Sequence, residues 1–260
     1  MTTLPHDTYY VFLREMKRLS RQRSRILMAV VQPMIWLVLM GNMMSGLTSN
    51  PFAARMLGTG SYLDFMTPGI MLMSSLFGGV FGGVSIIWDR RTGYLNRMMA
   101  APIARAAIPL GKMAGIAVQN VFQSIVIVAV AVSLGVHFAA GLPGMVLSLF
   151  LISLFSAGVA GISLSLASVV RSHEALMAMT NFLTLPMMFA SNAIFPREAM
   201  PSWLRVIADV NPLTYAVTPV RTLVVDGWLW ERIFPGLALT VIFALALIAV
   251  AARQFNRSAG

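Results

Sequence analysis

The chain has 260 residues, 58% of them hydrophobic and 11% charged, with no cysteine and a formal net charge of +10. A soluble domain carries roughly 25% charged residues, so a soluble enzyme, a disordered tail and a disulfide-stapled secreted fold are excluded. A pI near 11.2 suits a nucleic-acid binder only when the basic residues share one folded face; here long apolar stretches separate them.

From Thr8 to Arg25 the sequence predicts an amphipathic interfacial helix. Tyr9, Tyr10, Phe12, Leu13 and Met16 are apolar, while Arg14, Lys17, Arg18 and Arg21 are placed to face anionic headgroups. A plain basic flank of the first span fits the same residues. The long charged stretch and the length of the apolar run behind it do not match a cleaved signal peptide.

A helix needs about 20 apolar residues to cross the hydrocarbon core. Six stretches without Asp, Glu, Lys or Arg meet this: Ile26–Gly46, Phe65–Trp88, Met113–Val136, Gly144–Val170, Ala175–Pro196 and Ile233–Ala252. The alternating segments of about ten residues that mark transmembrane strands are absent from the sequence. The expected fold class is all-α integral membrane, a single transmembrane domain over 1–260. It has an interfacial helix in 1–25, spans 1–5 in 26–196, outer helices in 197–232, span 6 in 233–252 and a tail in 253–260. With the N-terminus cytoplasmic, 14 of the 19 Lys and Arg lie inside, leaving Arg55, Arg197, Arg205, Arg221 and Arg232 outside. The positive-inside rule thus puts both termini in the cytoplasm.

Between spans 2 and 3, Asp89–Arg105 offers a short amphipathic helix with Leu95, Met98 and Met99 at i, i+3 and i+4 among Arg90, Arg91 and Arg97, ended by Pro102. It suits a groove on a cytoplasmic partner; an ordinary positive-inside loop is the other reading. Between spans 5 and 6, Arg197–Arg232 is too polar to cross. Asn211-Pro212 is a helix start, an N-cap followed by proline at the first helical position, and Pro219 kinks or splits the helix at Thr218. Trp203, Trp228 and Trp230 suit the headgroup zone. Two short outer helices that dip into the membrane and return fit this segment, and so does a loop lying flat on the headgroups.

Gly78, Gly79, Gly82 and Gly83 give two overlaid GxxxG spacings in span 2, a surface for close helix packing, with packing inside the chain as the default. Span 4 offers Ala157, Gly158, Gly161, Ser163 and Ser165 for the same purpose. The amides Gln119, Asn120 and Gln123 in span 3, with Asn181 and Asn192 in span 5, read first as bonds between helices. Twenty methionines suit either a variable greasy substrate or lipid-compatible packing. The sequence contains no GxxxxGK[ST] phosphate loop. His6, His137 and His173 lie far apart with no cysteine, so no metal-site spacing is present. Glycines inside the span SLFGGVFGGV are not a nucleotide fingerprint. Spans free of acids, bases and histidine at their centres also argue against ion coupling. The chain is expected to bind no cofactor or metal, no nucleic acid, and to catalyse nothing by itself.

The six-span layout, the loop Asp89-Arg90, Gly93, Leu95, Arg97, Pro102 and Arg105, and the run Asn211-Pro212-Leu213-Thr214-Tyr215 with Arg221 after it resemble the permease subunits of ABC-2 type exporters. Within that family it resembles the drug-exporting members of the daunorubicin-resistance type. The resemblance covers essentially the whole chain, and it implies a half-transporter. Two such chains pair, commonly as a homodimer, and two copies of a cytoplasmic ABC ATPase that binds ATP and Mg dock beneath. It further implies that Asp89, Arg90, Gly93, Leu95, Arg97, Met98, Pro102 and Arg105 form a coupling helix on the ATPase, with Arg171 and Glu174 a second contact. Spans 2 and 5 then line the dimer interface and the substrate path, with Met71, Phe77, Phe81, Asn181, Met187 and Met188 as path residues. Asn211, Pro212, Leu213, Thr214, Tyr215 and Arg221 form the outer gate.

Two departures from the family pattern stand out. Arg91 and Asn96 replace acids that the family often has in the loop, leaving it strongly basic and calling for an acidic groove on the ATPase. Thr218 and Pro219 replace a polar step in the outer motif. The expected function is export of a hydrophobic or amphiphilic compound across a prokaryotic plasma membrane. Export of a lipid-linked glycan, a gradient-driven carrier or channel, and a non-transporting anchor are the rival readings.

Overall fold

The computed structural model describes residues 3–44, 59, 61–170 and 172–257. Ten α-helices account for nearly all of them, and no strand occurs among the described residues. They are α1 (Leu4–Arg21), α2 (Arg23–Met44), α3 (Tyr62–Arg91), α4 (Tyr94–Ala100), α5 (Ala107–Ser133), α6 (Gly141–Val169), α7 (His173–Phe189), α8 (Ser202–Val210), α9 (Pro212–Val225) and α10 (Trp230–Arg257). Five of them, α2, α3, α5, α6 and α10, are long and apolar enough to cross a bilayer. The last two residues of the expected first span, the site residue Arg171 and the end of the tail lie outside the described residues.

The fifth expected span, Ala175–Pro196, is shorter than the sequence suggests. Its helix α7 has 17 residues, about 26 Å at 1.5 Å per residue, and ends at Phe189. The chain leaves the helix where side chains replace backbone partners. Asn211 Nδ2 donates to the carbonyls of Met187 (2.8 Å) and Ala190 (2.6 Å), Ser191 Oγ donates to Met188 O, and Asn192 Nδ2 donates to Thr218 Oγ1. Ser191, Asn192 and Ala193 are buried, so the irregular backbone there is covered by protein.

The glycine spacings of span 2 act within the chain. A side-chain carbon on Gly79 falls 2.8 Å from Val159, and one on Gly82 meets Ile116. Gly83 packs directly on Ser163, whose hydroxyl accepts the Gly83 N–H at 2.9 Å and donates to the Val80 carbonyl. Helix α3 therefore seats on α6 at backbone distance and takes side chains of α5 into the same small-residue face. Gly158 and Gly161 of α6 accept α10 in the same way. Small residues at the crossings let helices approach, which in lipid replaces the hydrophobic drive.

Two large apolar cores form in the bundle among the described residues, beside a small third cluster of Ala140, Leu223 and Ile233. The larger joins α3, α5, α6 and α9 through Leu72, Leu76, Ile127, Phe155, Val217 and Val220. The second lies at the end that carries α1 and α4, and joins Ile86, Ile87, Leu95, Met98, Ile108, Leu164, Leu176 and Phe255. Helix α9 runs unbroken through Pro219 instead of splitting at Thr218. Gly236 of α10 fits against the gap this proline leaves, where an added carbon sits 2.6 Å from both Pro219 Cδ and the Tyr215 carbonyl.

Candidate functional site

The basic end of the bundle holds a cluster that the sequence reading treated as separate flanks. Helix α1 lies across the start of α5 and the end of α3. Lys112, 1% exposed, donates to Asp89 at 2.6 Å, to Glu15 at 3.0 Å and to Ser85 Oγ at 3.0 Å. Arg14 donates to both Asp89 oxygens (2.9 and 3.3 Å) and to Glu15 at 3.0 Å. Its guanidinium also stacks 3.7 Å over the Tyr94 ring of α4. Arg18 reaches Asp89 only at 3.5 Å.

The chain thus joins three elements through one carboxylate. A buried lysine is tolerated here because each of its three protons has an acceptor. Burial alone lowers the affinity of Arg14 for its proton, but the hydrogen bond and charge of Asp89 outweigh that, and its pKa lies above the ordinary value. At the far end of α1, the buried carboxylate of Asp7 accepts the Ala104 N–H at 2.8 Å. Helix α1 therefore grips the segment around α4 on both sides, through Tyr94 and through Ala104.

Helix α4 begins at Gly93, whose φ of 68° is left-handed, the one position in this loop where glycine's freedom is required. Leu95 and Met98 turn inward into the basic-end core. The apolar ridge expected to meet a partner is therefore spent inside the chain. The outward face carries Arg91, Asn96, Arg97, Met99, Pro102 and Arg105, all exposed. Two further loop residues also face inward. Asp89 is buried in the ionic cluster, and Arg90 donates to the carbonyls of Val170 (3.0 Å), Ala167 (3.2 Å) and Ser168 (3.3 Å), closing the C-terminus of α6. Glu174, in the first turn of α7, is exposed, and its helix is capped by Ser172. Lys17 and Arg21 are exposed, whereas Arg14 is drawn to Asp89 at 2.9 Å and Arg18 only loosely, at 3.5 Å.

At the opposite end, Asn211 Oδ1 caps α9 by accepting the Leu213 N–H at 2.9 Å. Tyr215 donates to the Asp209 carbonyl. Arg221 donates to Phe65 O (3.2 Å) and Ala193 O (3.4 Å) and lies 3.8 Å over the Phe65 ring. Pro212 opens the helix, and Leu213 and Thr214 are in the core of the bundle. The NPLTY run with Arg221 therefore pins α9 to α3 and to the turn after α7. Of the residues expected along a substrate path, Met71 is fully buried in the core. Phe77, Phe81 and Asn181 are exposed on the outside of the bundle, and Met187 and Met188 are half-buried.

The cluster of Lys112, Glu15 and Arg14 escaped the sequence reading, in which Lys112 is only one of the 14 basic residues counted on the inner side. A signal was present. With 9 acids against 19 Lys and Arg, an aspartate or glutamate at the basic end has cations within reach, and Lys112 sits between Gly111 and Met113 in an apolar run.

The family model of the ABC-2 type transporter matches residues 6–225. The chain is 32% identical over 86% of its length, and 79% of the relative's, to a putative transport permease, ycf38, of Cyanophora paradoxa. It is 31% identical to the ycf38 of Porphyra purpurea, over 77% of the chain and 68% of the relative. It is 26% identical to the daunorubicin resistance ABC transporter permease protein DrrB1 of Streptomyces coeruleorubidus, over 75% and 66%. The matched region runs from the clamp helix α1 through the basic end to the end of α9, and the chain belongs to the ABC-2 type transporter family.

Proposed function

We propose that this chain is the membrane half of an ATP-driven exporter that moves a hydrophobic or amphiphilic compound out of the cell. A separate cytoplasmic ATPase hydrolyses the ATP. In this reading α7 completes a six-span bundle, and both termini, α1 and α4 face the cytoplasm. Helices α8 and α9 form a re-entrant pair at the outer face, with the segment Asn211–Arg221 as its gate. Two copies of the chain pair through α3 and α7, and two ATPase subunits dock beneath. The drug-resistance permease among the relatives supports an amphiphilic cargo.

The observation that carries the reading is the construction of α4. It is a seven-residue helix set on a left-handed glycine, with its apolar side fixed in the core and clamped by α1, and its basic side outward. Such an element passes a push from below into α3 and α5 without bending. The exposed Arg91 and Arg97 call for an acidic groove on the ATPase. Asp89 and Arg90 serve this coupling as positioning residues.

Purification of the tagged chain from its native cells tests the reading. A roughly equimolar ATPase subunit accompanies it, and Arg97→Glu lowers that recovery about tenfold, the equivalent of about 1.4 kcal/mol, while insertion is unchanged. Recovery of the chain with no ATPase, under conditions that keep other complexes intact, overturns it.

A further inference from the structure

A cleft of about 520 Å³ opens between the end of α1, the start of α2 and the basic half of α3, lined by Arg18, Gln22, Ser24, Phe81, Ser85 and Trp88. Its two ends differ chemically. At one, the ionic cluster of Arg14, Arg18 and Lys112 against Glu15 and Asp89 carries one positive charge in excess. Asp89 and Glu15 are engaged by Lys112 and Arg14 at 2.6 to 3.0 Å, so the excess falls to Arg18, held at 3.5 Å. Lys17 and Arg21, exposed on the same helix, add to the positive potential.

At the other end, α3 shows an aromatic stripe. Phe77, Phe81, Val84 and Trp88 follow the spacing i, i+4, i+7, i+11, within about 60° of one another around the helix and over about 16 Å of its length. Phe81 and Trp88 are 49% and 52% exposed. A cationic, hydrogen-bonding end continuous with an apolar track fits one ligand chemistry, an anionic head on a greasy body.

We propose that this cleft takes an anionic amphiphile from the adjacent leaflet. Its phosphate, carboxylate or sulfonate head lies at Arg18 and Ser24, and its body lies along Trp88 and Phe81 toward Phe77. The position beside the inner leaflet rests on the exporter reading given above, and the proposal narrows that reading's cargo to anionic amphiphiles. A cationic compound meets the wrong potential at the mouth.

The full chain in nonionic detergent is titrated with brominated phosphatidylglycerol and, separately, with brominated phosphatidylcholine, and tryptophan fluorescence is read. The anionic lipid quenches at about tenfold lower concentration, the worth of one charge-assisted hydrogen bond. Trp88→Phe removes most of the quenched signal. Arg18→Gln abolishes the preference and leaves Asp89 with its nearer partners Lys112 and Arg14, so the fold is kept. Equal quenching by the two lipids, or a preference that survives Arg18→Gln, overturns the proposal.

Adding the co-purified ATPase separates the two sources of such a head. Saturable stimulation of ATP turnover by phosphatidylglycerol, lost in Arg18→Gln, identifies cargo. Turnover indifferent to that lipid identifies a resident membrane lipid and returns the cargo to the broader amphiphile class, with the cleft's chemistry upheld. Lipid preference is measured on the chain alone, so a failure to recover an ATPase counts against the exporter reading and not against the cleft.

Discussion

An ammonium with 1% of its surface exposed is stable only because Asp89, Glu15 and Ser85 meet all three of its protons. Removing one partner of a buried ion pair costs about 3–5 kcal/mol, because the charge left behind is uncompensated. Lys112→Ala is expected to lower the melting temperature of the detergent-purified chain, followed by intrinsic fluorescence. Lys17→Ala, on the exposed side of α1, leaves it within error. A second ion pair behaves differently. Arg197 donates to both Asp209 oxygens at 2.7 and 2.6 Å, and its hydrogen bonds and charge hold the Asp209 carboxyl below its ordinary value of 3.8. A carboxyl depressed in the folded state stabilises above its unfolded pKa and loses that contribution as pH falls through the folded value. Limited proteolysis around 197–209 is expected to be flat from pH 7 to about pH 4 and to quicken below it. The pair is solvent-exposed, so 1 M salt produces the same quickening at pH 7.

Helices here are set by features of different reach. The caps are local: Asn211 before Pro212, Ser172 before α7, Gly93 before α4. Of these only Asn211 is named as a cap from the sequence; Ser172 and Gly93 act just as locally, through the residue's own side chain or backbone freedom, but are not singled out there as helix starts. Gly93→Ala forces a side chain into the left-handed region, about 1–2 kcal/mol, and tilts α4 off its axis. Its expected signature is weaker ATPase recovery with unchanged membrane insertion, read by co-purification and by protease protection. The inward turn of Leu95 and Met98 was not readable. Their spacing specifies an apolar face but not whether the face meets a partner or the underside of its own bundle. Contacts with Ile87, Ile108 and Phe255, from distant parts of the sequence, decide that. Helix α7 shows the same division. Composition supports a span of 22 uncharged residues from Ala175 to Pro196, while the amide of Asn211, more than 20 positions away, takes the carbonyls that end the helix early.

At the scale of the molecule, α7 is a thinly packed helix, with only Leu176, Thr180 and Thr184 buried. Asn181, Phe182, Leu185 and Phe189 lie exposed along it, and a polar amide facing lipid is costly without a partner. In the dimer proposed above, that face meets the second copy. The chain has no cysteine, so Asn181→Cys introduces a single thiol. Oxidation of membranes carrying it is expected to give a covalent dimer on a non-reducing gel. A single cysteine at Val146, exposed on α6 and so on a helix outside the proposed α3 and α7 pair, is expected to give none. Dimer from both positions, or from neither, removes α7 from the interface.

Composition alone determined that the chain is a helical membrane protein, because an 11% charged chain cannot dissolve and a backbone in lipid must satisfy its hydrogen bonds within each helix. The length of the apolar runs fixed where most helices lie, and the asymmetry of Lys and Arg fixed the expected orientation. Tertiary structure decided which charges are available. Asp89, Arg14 and Lys112 belong to the same basic flanks as Arg97 and Arg21, yet the first three are drawn into one cluster and the others left outward. One-dimensional charge patterns count residues per side of a membrane. Which cation finds which carboxylate depends on how α1 crosses α3 and α5, and that crossing is set by Gly111 against Val11 and Gly115 against Glu15, contacts separated by about a hundred residues of sequence.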